Sequence, residues 1–372
     1  MRIGVPKEIK VHEYRVGMTP ASVGEAVLHG HSVMVEAGAA AHMGLIDDDY
    51  ARAGAEIAGG ADEIYERADL IVKVKEPQPG EVALLREGQT IFTYLHLAAD
   101  EDLTRGLVAS GVTGIAYETV TDHAGRLPLL APMSEVAGRM AIQVGAHALE
   151  MEQGGRGVLL AGAAGVPAGK VVVLGGGVAG SNAARIAVGC EAKVTVIDID
   201  VERLYKLDER YGAALDTAYS TRHAVAELVL DADLVIGAVL VPGAAAPKLV
   251  TEDMVKDMRR GSVIVDIAID QGGCIETSRP TTHAEPTFVS HEVVHYCVTN
   301  MPGAVARTST FALNNATLPF VLELADKGVD DALRADPHLR AGLNVYQGQI
   351  THAAVAEALG APHGAAREVL GG

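Results

Sequence analysis

The segment KVVVLGGGVAGSNAARIA, from Lys170 to Ala187, restricts the possible folds more than any other part of this chain. A short Val-rich run leads into Gly175, Gly177 and Gly180 in G-x-G-x-x-G spacing, followed by a helix-period run of small residues. The first glycine permits a tight turn, the second lets backbone N–H groups approach a pyrophosphate, and the third lets helix pack closely on strand. The spacing alone is a weak signal, and its position between strand and helix gives it weight. The next strand-like run, KVTVIDID, carries Asp198 eighteen residues after Gly180. A carboxylate there accepts hydrogen bonds from the hydroxyls of an adenosine ribose and repels a 2′-phosphate, so the pattern predicts NAD rather than NADP. The alternative is a dinucleotide-binding domain kept only as scaffold.

Similar alternation of apolar runs with helical segments continues on both sides, as expected for βαβ units. The first series predicts strands at Arg2–Val5, Ser32–Glu36, Leu70–Lys75, Thr90–Leu95 and Val112–Tyr117. Thr19 before Pro20 reads as a helix start and Gly30 as its stop. Further helices are predicted at Asp47–Gly54, Asp62–Ala68, Asp100–Ser110 and, at greater length, Ser134–Gln153. The second series predicts strands at Lys170–Leu174, Lys193–Asp198, Leu234–Leu240 and Ser262–Ile269, and the chain reads as helical from Thr308 onward. With 372 residues, two domains are the natural division.

Charge narrows the partners. Thirty Lys+Arg against 48 Asp+Glu give a formal net charge of −18, which disfavours nucleic acid and anionic membrane surfaces. The longest uncharged apolar stretches, Gly157–Gly169 and Leu234–Pro247, are too short and too interrupted by Gly and Pro to cross about 30 Å of hydrocarbon. The first ten residues lack the apolar run of a secretory signal. Cys190, Cys274 and Cys297 show no metal-type or C-x-x-C spacing, so a cytoplasmic protein without a metal is predicted.

Parallel strands covered on both faces should read as apolar throughout. Three runs break that rule. LIVKVKEP carries Lys73 and Lys75, TIFTYLHL ends in His96, and SVIVDIAID carries Asp266 with Asp270 at its end. Open α/β sheets bind ligands beyond the carboxyl ends of their strands, so Lys75, His96 and Asp270 stand where site residues belong. Lys73 reads as a snorkelling edge residue and Asp266 as a turn-binding carboxylate. A hydride-transfer enzyme acting on an amino or hydroxy acid needs a cation for the carboxylate and an acid/base near neutral pKa. Arg15, in EYRVGMTP, supplies a planar fork for a carboxylate, although a loop Arg is more often simply solvated.

At this point the chain resembles a known family, that of alanine dehydrogenase and the transhydrogenase α-subunit. The likeness runs through GVPKEIK, EYRVGMTP, VKVKEP, TYLHLA, GIAYETV, LPLLAPMSEVAGRMA, LVIGAVLVPGAAAPKLV, DIAIDQGGCIETSRPTT and NMPGAVARTST. It implies an α/β fold of two doubly wound Rossmann-like domains with parallel sheets, linked by long helices. Residues 1–130 with 307–372 would form a substrate domain and 131–306 an NAD-binding domain. It further implies reversible, NAD-dependent deamination of L-alanine to pyruvate and ammonium, in a homohexamer. Arg15 and Lys75 would hold the substrate, and His96 and Asp270 would act as catalytic groups. Asp270 is left with two roles, steadying the ammonium group or orienting water. Met133, Ser134, Asn300 and Met301 would lie beside the nicotinamide, and Ser220 with Asp198 near the adenosine. One departure is Ala306, where the family pattern has proline after GAV, which bears only on local stiffness. The competing readings are an NAD-binding transhydrogenase subunit, a lysine-forming saccharopine dehydrogenase and a non-catalytic NAD-sensing protein.

Overall fold

Two series of short Val- and Ile-rich strands, each strand followed by a helix or turn, build two sheets in the computed structural model, which describes residues 1–239 and 246–371. Contacts divide the chain into two units, Met1–Met133 with Val305–Gly372, and Ser134–Ala304.

The first unit begins with β1 (Arg2–Val5), β2 (Ser32–Glu36), β3 (Glu56–Ala58), β4 (Leu70–Val72), β5 (Thr90–Thr93) and β6 (Thr113–Ala116). The second contains β7 (Lys170–Leu174), β8 (Lys193–Asp198), β9 (Asp216–Tyr219), β10 (Leu234–Gly237), β11 (Val263–Asp266), β12 (Thr287–Ser290) and β13 (Val293–Tyr296). After residue 305 the chain adds β14 (Leu343–Tyr346) and β15 (Gln349–Ile350) to the first sheet. The sheet orders are β15-β14-β6-β5-β4-β1-β2-β3 and β12-β13-β11-β10-β7-β8-β9. In each, the strand order reverses beside the first strand, and such reversals create the crevice where ligands bind.

Both sheets are mixed rather than wholly parallel. The pairs β6–β14, β14–β15 and β12–β13 are antiparallel. The predicted all-helical C-terminal part is therefore corrected. Gln347 and Gly348 both have positive φ, 45° and 78°, which is the two-residue turn that lets β14 fold back as β15. Several predicted strands also end early: β4 at Val72, β5 at Thr93 and β11 at Asp266. In each case polar groups at the strand end capture the following N–H groups and turn the chain. The long helix runs Ala131–Ala148, with a separate turn at Met151–Gln153, and unit boundaries fall within it and just before the helix Ala306–Lys327. Ala306 is the first residue of that helix, a position proline also suits. The predicted strand Leu234–Leu240 ends at Gly237, and Leu240, with the LVPGAA part of its motif, lies outside the described residues.

Thr19 caps the helix Pro20–Leu28 by accepting from Ser22 N at 3.3 Å. The returning helix Ala306–Lys327 holds the same loop. Asn314 Oδ1 accepts from Thr19 N at 2.7 Å and from Ser22 Oγ at 3.0 Å, and Asn314 Nδ2 donates to Val16 O at 3.4 Å. Thr310 and Asn314, four residues apart on one helix face, are both buried. A polar stripe on a buried face is what a helix needs if it packs on a loop rather than on a sheet.

Candidate active site

In the first unit, three neighbouring strands, β1, β4 and β5, release the loops that carry Arg15, Lys75 and His96. Arg15 is not the solvated loop arginine that base rates favour; it is 2% exposed. Its Nε and Nη2 donate to Glu13 Oε1 and Oε2 at 2.7 and 2.5 Å, and Nη1 lies 3.1 Å from Met133 Sδ. Burial opposes the charge, but the Glu13 hydrogen bonds outweigh it and hold the guanidinium above its ordinary pKa. The bidentate grip fixes the plane of the fork. Gly17 makes the loop's course possible, because a Cβ there would sit 2.2 Å from Val72 O at the end of β4.

Lys73 and Lys75 part company past that strand end. Lys73 is fully buried, just past the end of an interior strand rather than at an edge, with Nζ 2.5 Å from Glu81 Oε1 and 3.3 Å from Glu8 Oε2. It is therefore a buried ion-pair residue, and the snorkelling reading is corrected. Removing one member of such a buried set typically costs about 3–5 kcal/mol. Lys75 is half-buried, and its N–H donates to Glu8 Oε1 at 3.2 Å, beside Val74 N at 2.7 Å.

His96 follows β5 in left-handed backbone, φ 53°, a placement costing a non-glycine residue on the order of 1 kcal/mol. Its side chain is 46% exposed, which does not suit a core histidine. The imidazole stacks on Tyr94 with centroids 5.9 Å apart and planes 7° apart, and Tyr94 Oη donates to Leu129 O at 2.6 Å. Glu118 Oε1 accepts from His96 N at 2.6 Å and lies 3.9 Å from Nδ1. A cavity of about 160 Å³ is bordered by Lys7, Lys10, His12, Tyr14, Arg15 and His42 among others. Neither Lys75 nor His96 borders it.

In the second unit the glycine loop has the predicted geometry. Gly175 has φ 94°, Gly177 caps the helix Val178–Gly189 with open space where a Cβ would stand, and a Cβ at Gly180 would lie 1.7 Å from Gly175 O. Gly138 plays the same part on the helix Ala131–Ala148, where a Cβ would meet Ala179 O at 2.0 Å. Asp198 ends β8. It accepts from Gly176 N at 2.6 Å, Asp200 N at 2.9 Å and Arg203 Nη1 at 3.0 Å. Burial raises its pKa, but those donors prevail and hold it below the ordinary value. Ser220 stands at the end of β9, its N–H donating to Asp198 O at 2.9 Å.

Asp270 is exposed in the turn Ile267–Gln271 after β11, rather than on the strand itself. Beneath it Asp266 is fully buried and accepts from Ala268, Cys274 and Ile275 N–H groups, so it is a turn-binding carboxylate. Asn300 is left-handed, φ 62°, its carbonyl 3.2 Å from His283 Nε2, and Met301 is buried. Ser134 sits in the first turn of its helix, half-buried, next to Met133. Thus Arg15, Lys75, His96 and Met133 belong to the first unit, and Ser134, Gly175, Gly177, Gly180, Asp198, Ser220, Asp270, Asn300 and Met301 to the second. Glu8, Glu13 and Glu118 escaped the sequence reading because isolated charged residues in loops and turns carry no periodic signal, and Arg203 because it reads as one more charge on the polar face of the helix Val201–Tyr211. Among the described residues no cluster of His, Cys, Asp and Glu is arranged to hold a metal ion, and no helix is long and apolar enough to cross a membrane.

Comparison with known proteins decides the family. The models for the alanine dehydrogenase/PNT N-terminal and C-terminal domains match residues 4–137 and 141–353. Alanine dehydrogenase of Halomonas elongata is 60% identical over 371 residues, and that of Bacillus subtilis 53% over 372, covering all of this chain and 100% and 98% of theirs. The chain belongs to the alanine dehydrogenase/PNT family. A solved L-alanine dehydrogenase structure superposes with TM-score 0.94 at 52% identity, covering 97% of this chain and 99% of that one. The transhydrogenase of Sinorhizobium meliloti is more distant, with TM-score 0.79 at 27% identity, covering 95% and 100%. Residues 305–353 belong to the C-terminal family domain by sequence and to the first unit by contacts, so sequence domain and folded unit do not coincide.

Proposed function

We propose that this chain catalyses the reversible reaction L-alanine + NAD⁺ + H₂O → pyruvate + NH₄⁺ + NADH + H⁺. The observation that carries the reading is the emergence of Arg15, Lys75 and His96 beyond three neighbouring strands, β1, β4 and β5, in a family member alike end to end to alanine dehydrogenases. The first unit is assigned substrate handling and the second the dinucleotide.

The residues present fit a dinucleotide. The loop at Gly175 and Gly177 leaves room for a pyrophosphate at the start of the helix Val178–Gly189, whose first N–H groups suit an anion. Following the family resemblance, Asp198 and Ser220 would hold the adenosine ribose, and Met133, Ser134, Asn300 and Met301 would serve the nicotinamide. When bound, NAD would supply the acceptor for the hydride that leaves the substrate Cα. Arg15, its plane fixed by Glu13, pairs with the substrate carboxylate, and Lys75 donates to the oxygen that becomes the keto group. After the substrate ammonium has lost one proton and the hydride has left, His96 takes a proton from the water that adds to the iminium carbon and returns it to nitrogen; the carbinolamine then collapses, its hydroxyl proton passing to the departing ammonia to give ammonium. Asp270, a carboxylate in an exposed turn, steadies the departing ammonium or orients that water. Three unpaired thiols suit a cytoplasmic location, and the family resemblance favours a homohexamer.

The assignment of Lys75 is tested by Lys75→Ala. Loss of a charge-assisted bond of about 1.5–3 kcal/mol should lower kcat/KM for pyruvate at least about tenfold while NADH affinity is retained. Undiminished pyruvate reduction would remove Lys75 from the site.

A further inference from the structure

Each loop that carries a candidate substrate-handling residue in the first unit is gripped by a glutamate. Glu13 holds the Arg15 guanidinium, Glu8 accepts from the N–H groups of Val74 and Lys75, and Glu118 accepts from those of Leu95 and His96. Glu8 and Glu13 also compensate a buried cation, so removing either disturbs more than position. Among the described residues Glu118 pairs with no buried cation; its ion-pair partner is the half-exposed His96. It leaves β6 in the turn Tyr117–Thr119, one strand over from β5, and the pairing of Thr93 with Ala116 brings it level with the residues after β5.

We propose that Glu118 is a positioning residue for His96, a statement that rests on the dehydrogenase reading above. One oxygen reaches both N–H groups: Glu118 Oε1 accepts from His96 N at 2.6 Å and from Leu95 N at 3.2 Å, while Oε2 lies 3.3 Å from Leu95 N alone. Those two N–H groups belong to the residues where the chain leaves the strand and enters left-handed backbone at His96. Left-handed backbone is disfavoured for a residue with a Cβ, so without an acceptor the turn relaxes and the imidazole shifts with it. The stacking of that imidazole on Tyr94, itself anchored through its hydroxyl to Leu129 O, leaves the backbone at His96 as the remaining freedom. Glu118 controls it. The grip requires an oxygen at the reach of a glutamate side chain and does not require a negative charge.

That distinction sets the test, which compares Glu118→Gln and Glu118→Asp in the full-length protein. Glutamine keeps the reach and the accepting Oε1 without the charge, whereas aspartate keeps the charge and falls one methylene short. Glu118→Gln should retain most of the wild-type kcat. Glu118→Asp should lose on the order of 100-fold in kcat, the scale of an ångström-sized misplacement, with NADH affinity measured by fluorescence unchanged. Melting temperatures taken alongside separate loss of fold from loss of position. A Glu118→Gln enzyme impaired as much as or more than Glu118→Asp, or a Glu118→Asp enzyme with undiminished kcat, overturns the assignment. If the wild type itself forms no NADH from L-alanine, the dehydrogenase reading fails and takes the proposal with it; the reverse order of the two variants removes Glu118 alone.

Discussion

An imidazole half exposed at the carboxyl end of a strand, in backbone that disfavours it, is poor for stability and well placed for proton transfer. His96→Gln should therefore leave NADH affinity and melting temperature near the wild type and lower kcat by about 10²–10⁴-fold, as measured by steady-state pyruvate reduction. A destabilised variant with unchanged turnover would place the acid/base elsewhere, with Asp270 next in line. At this scale the sequence announced Lys75, His96 and Asp198 because each breaks or ends an apolar strand. Arg15 gave only a weak signal, and its resemblance to a family pattern singled it out. The glutamates that hold these residues were invisible, since what makes them matter is the N–H each one faces, and that depends on pairing between β5 and β6 or on the loop after β1. Arg203 was invisible as one more charge on the polar face of its helix, although it shares a carboxylate oxygen with Gly176 and tempers the charge of Asp198.

The loop carrying Arg15 is held as an element, between the end of β4 at Gly17 and the returning helix at Asn314. Asn314→Leu keeps the size of the side chain and loses its bonds to Thr19, Ser22 and Val16, leaving the buried Val16 carbonyl and Thr19 N–H unsatisfied. The expected result is a loss of about 1–3 kcal/mol in denaturant unfolding, together with a raised KM for pyruvate as the loop loosens. An unchanged KM in the destabilised protein would show that the returning helix supports the fold without ordering Arg15. Helix and strand periodicity made most of the parallel strands legible, including β7 and β8 around the glycine loop. It failed for β3, β9, β12 and β13, which are short or only partly apolar, and for the β14–β15 hairpin, whose Gln347-Gly348 turn is a less familiar form of the Asn-Gly signal.

At the scale of the molecule, one buried and one half-buried histidine carry a pH signature. His295 is held below its ordinary pKa by burial, against the pull of the Val293 carbonyl and with further opposition from His291, and it sits between Thr277 and the Phe288 ring. Burial likewise depresses His352, where Glu118 acts in the opposite sense. Folding then excludes a proton that the unfolded chain binds below about pH 6.5, so this contribution is present above that pH and is lost as pH falls. Glu8 and Asp266, raised by burial, act with the opposite sign, so the difference between proteins is the clean readout. The stability gap between wild type and His295→Phe should shrink from pH 8 to pH 5 in denaturant titrations; a gap that widens would contradict a neutral buried His295. The two-unit plan was legible from the repeated βαβ series, but the antiparallel additions to both sheets were not, because nothing local marks which edge a distant strand will join. What the whole chain does is most directly tested by incubating the purified protein with NAD and L-alanine and measuring NADH, pyruvate and ammonium together. The account predicts equal amounts of all three, with L-alanine preferred over larger amino acids; no NADH from L-alanine, or NADH without matching pyruvate and ammonium, would contradict it.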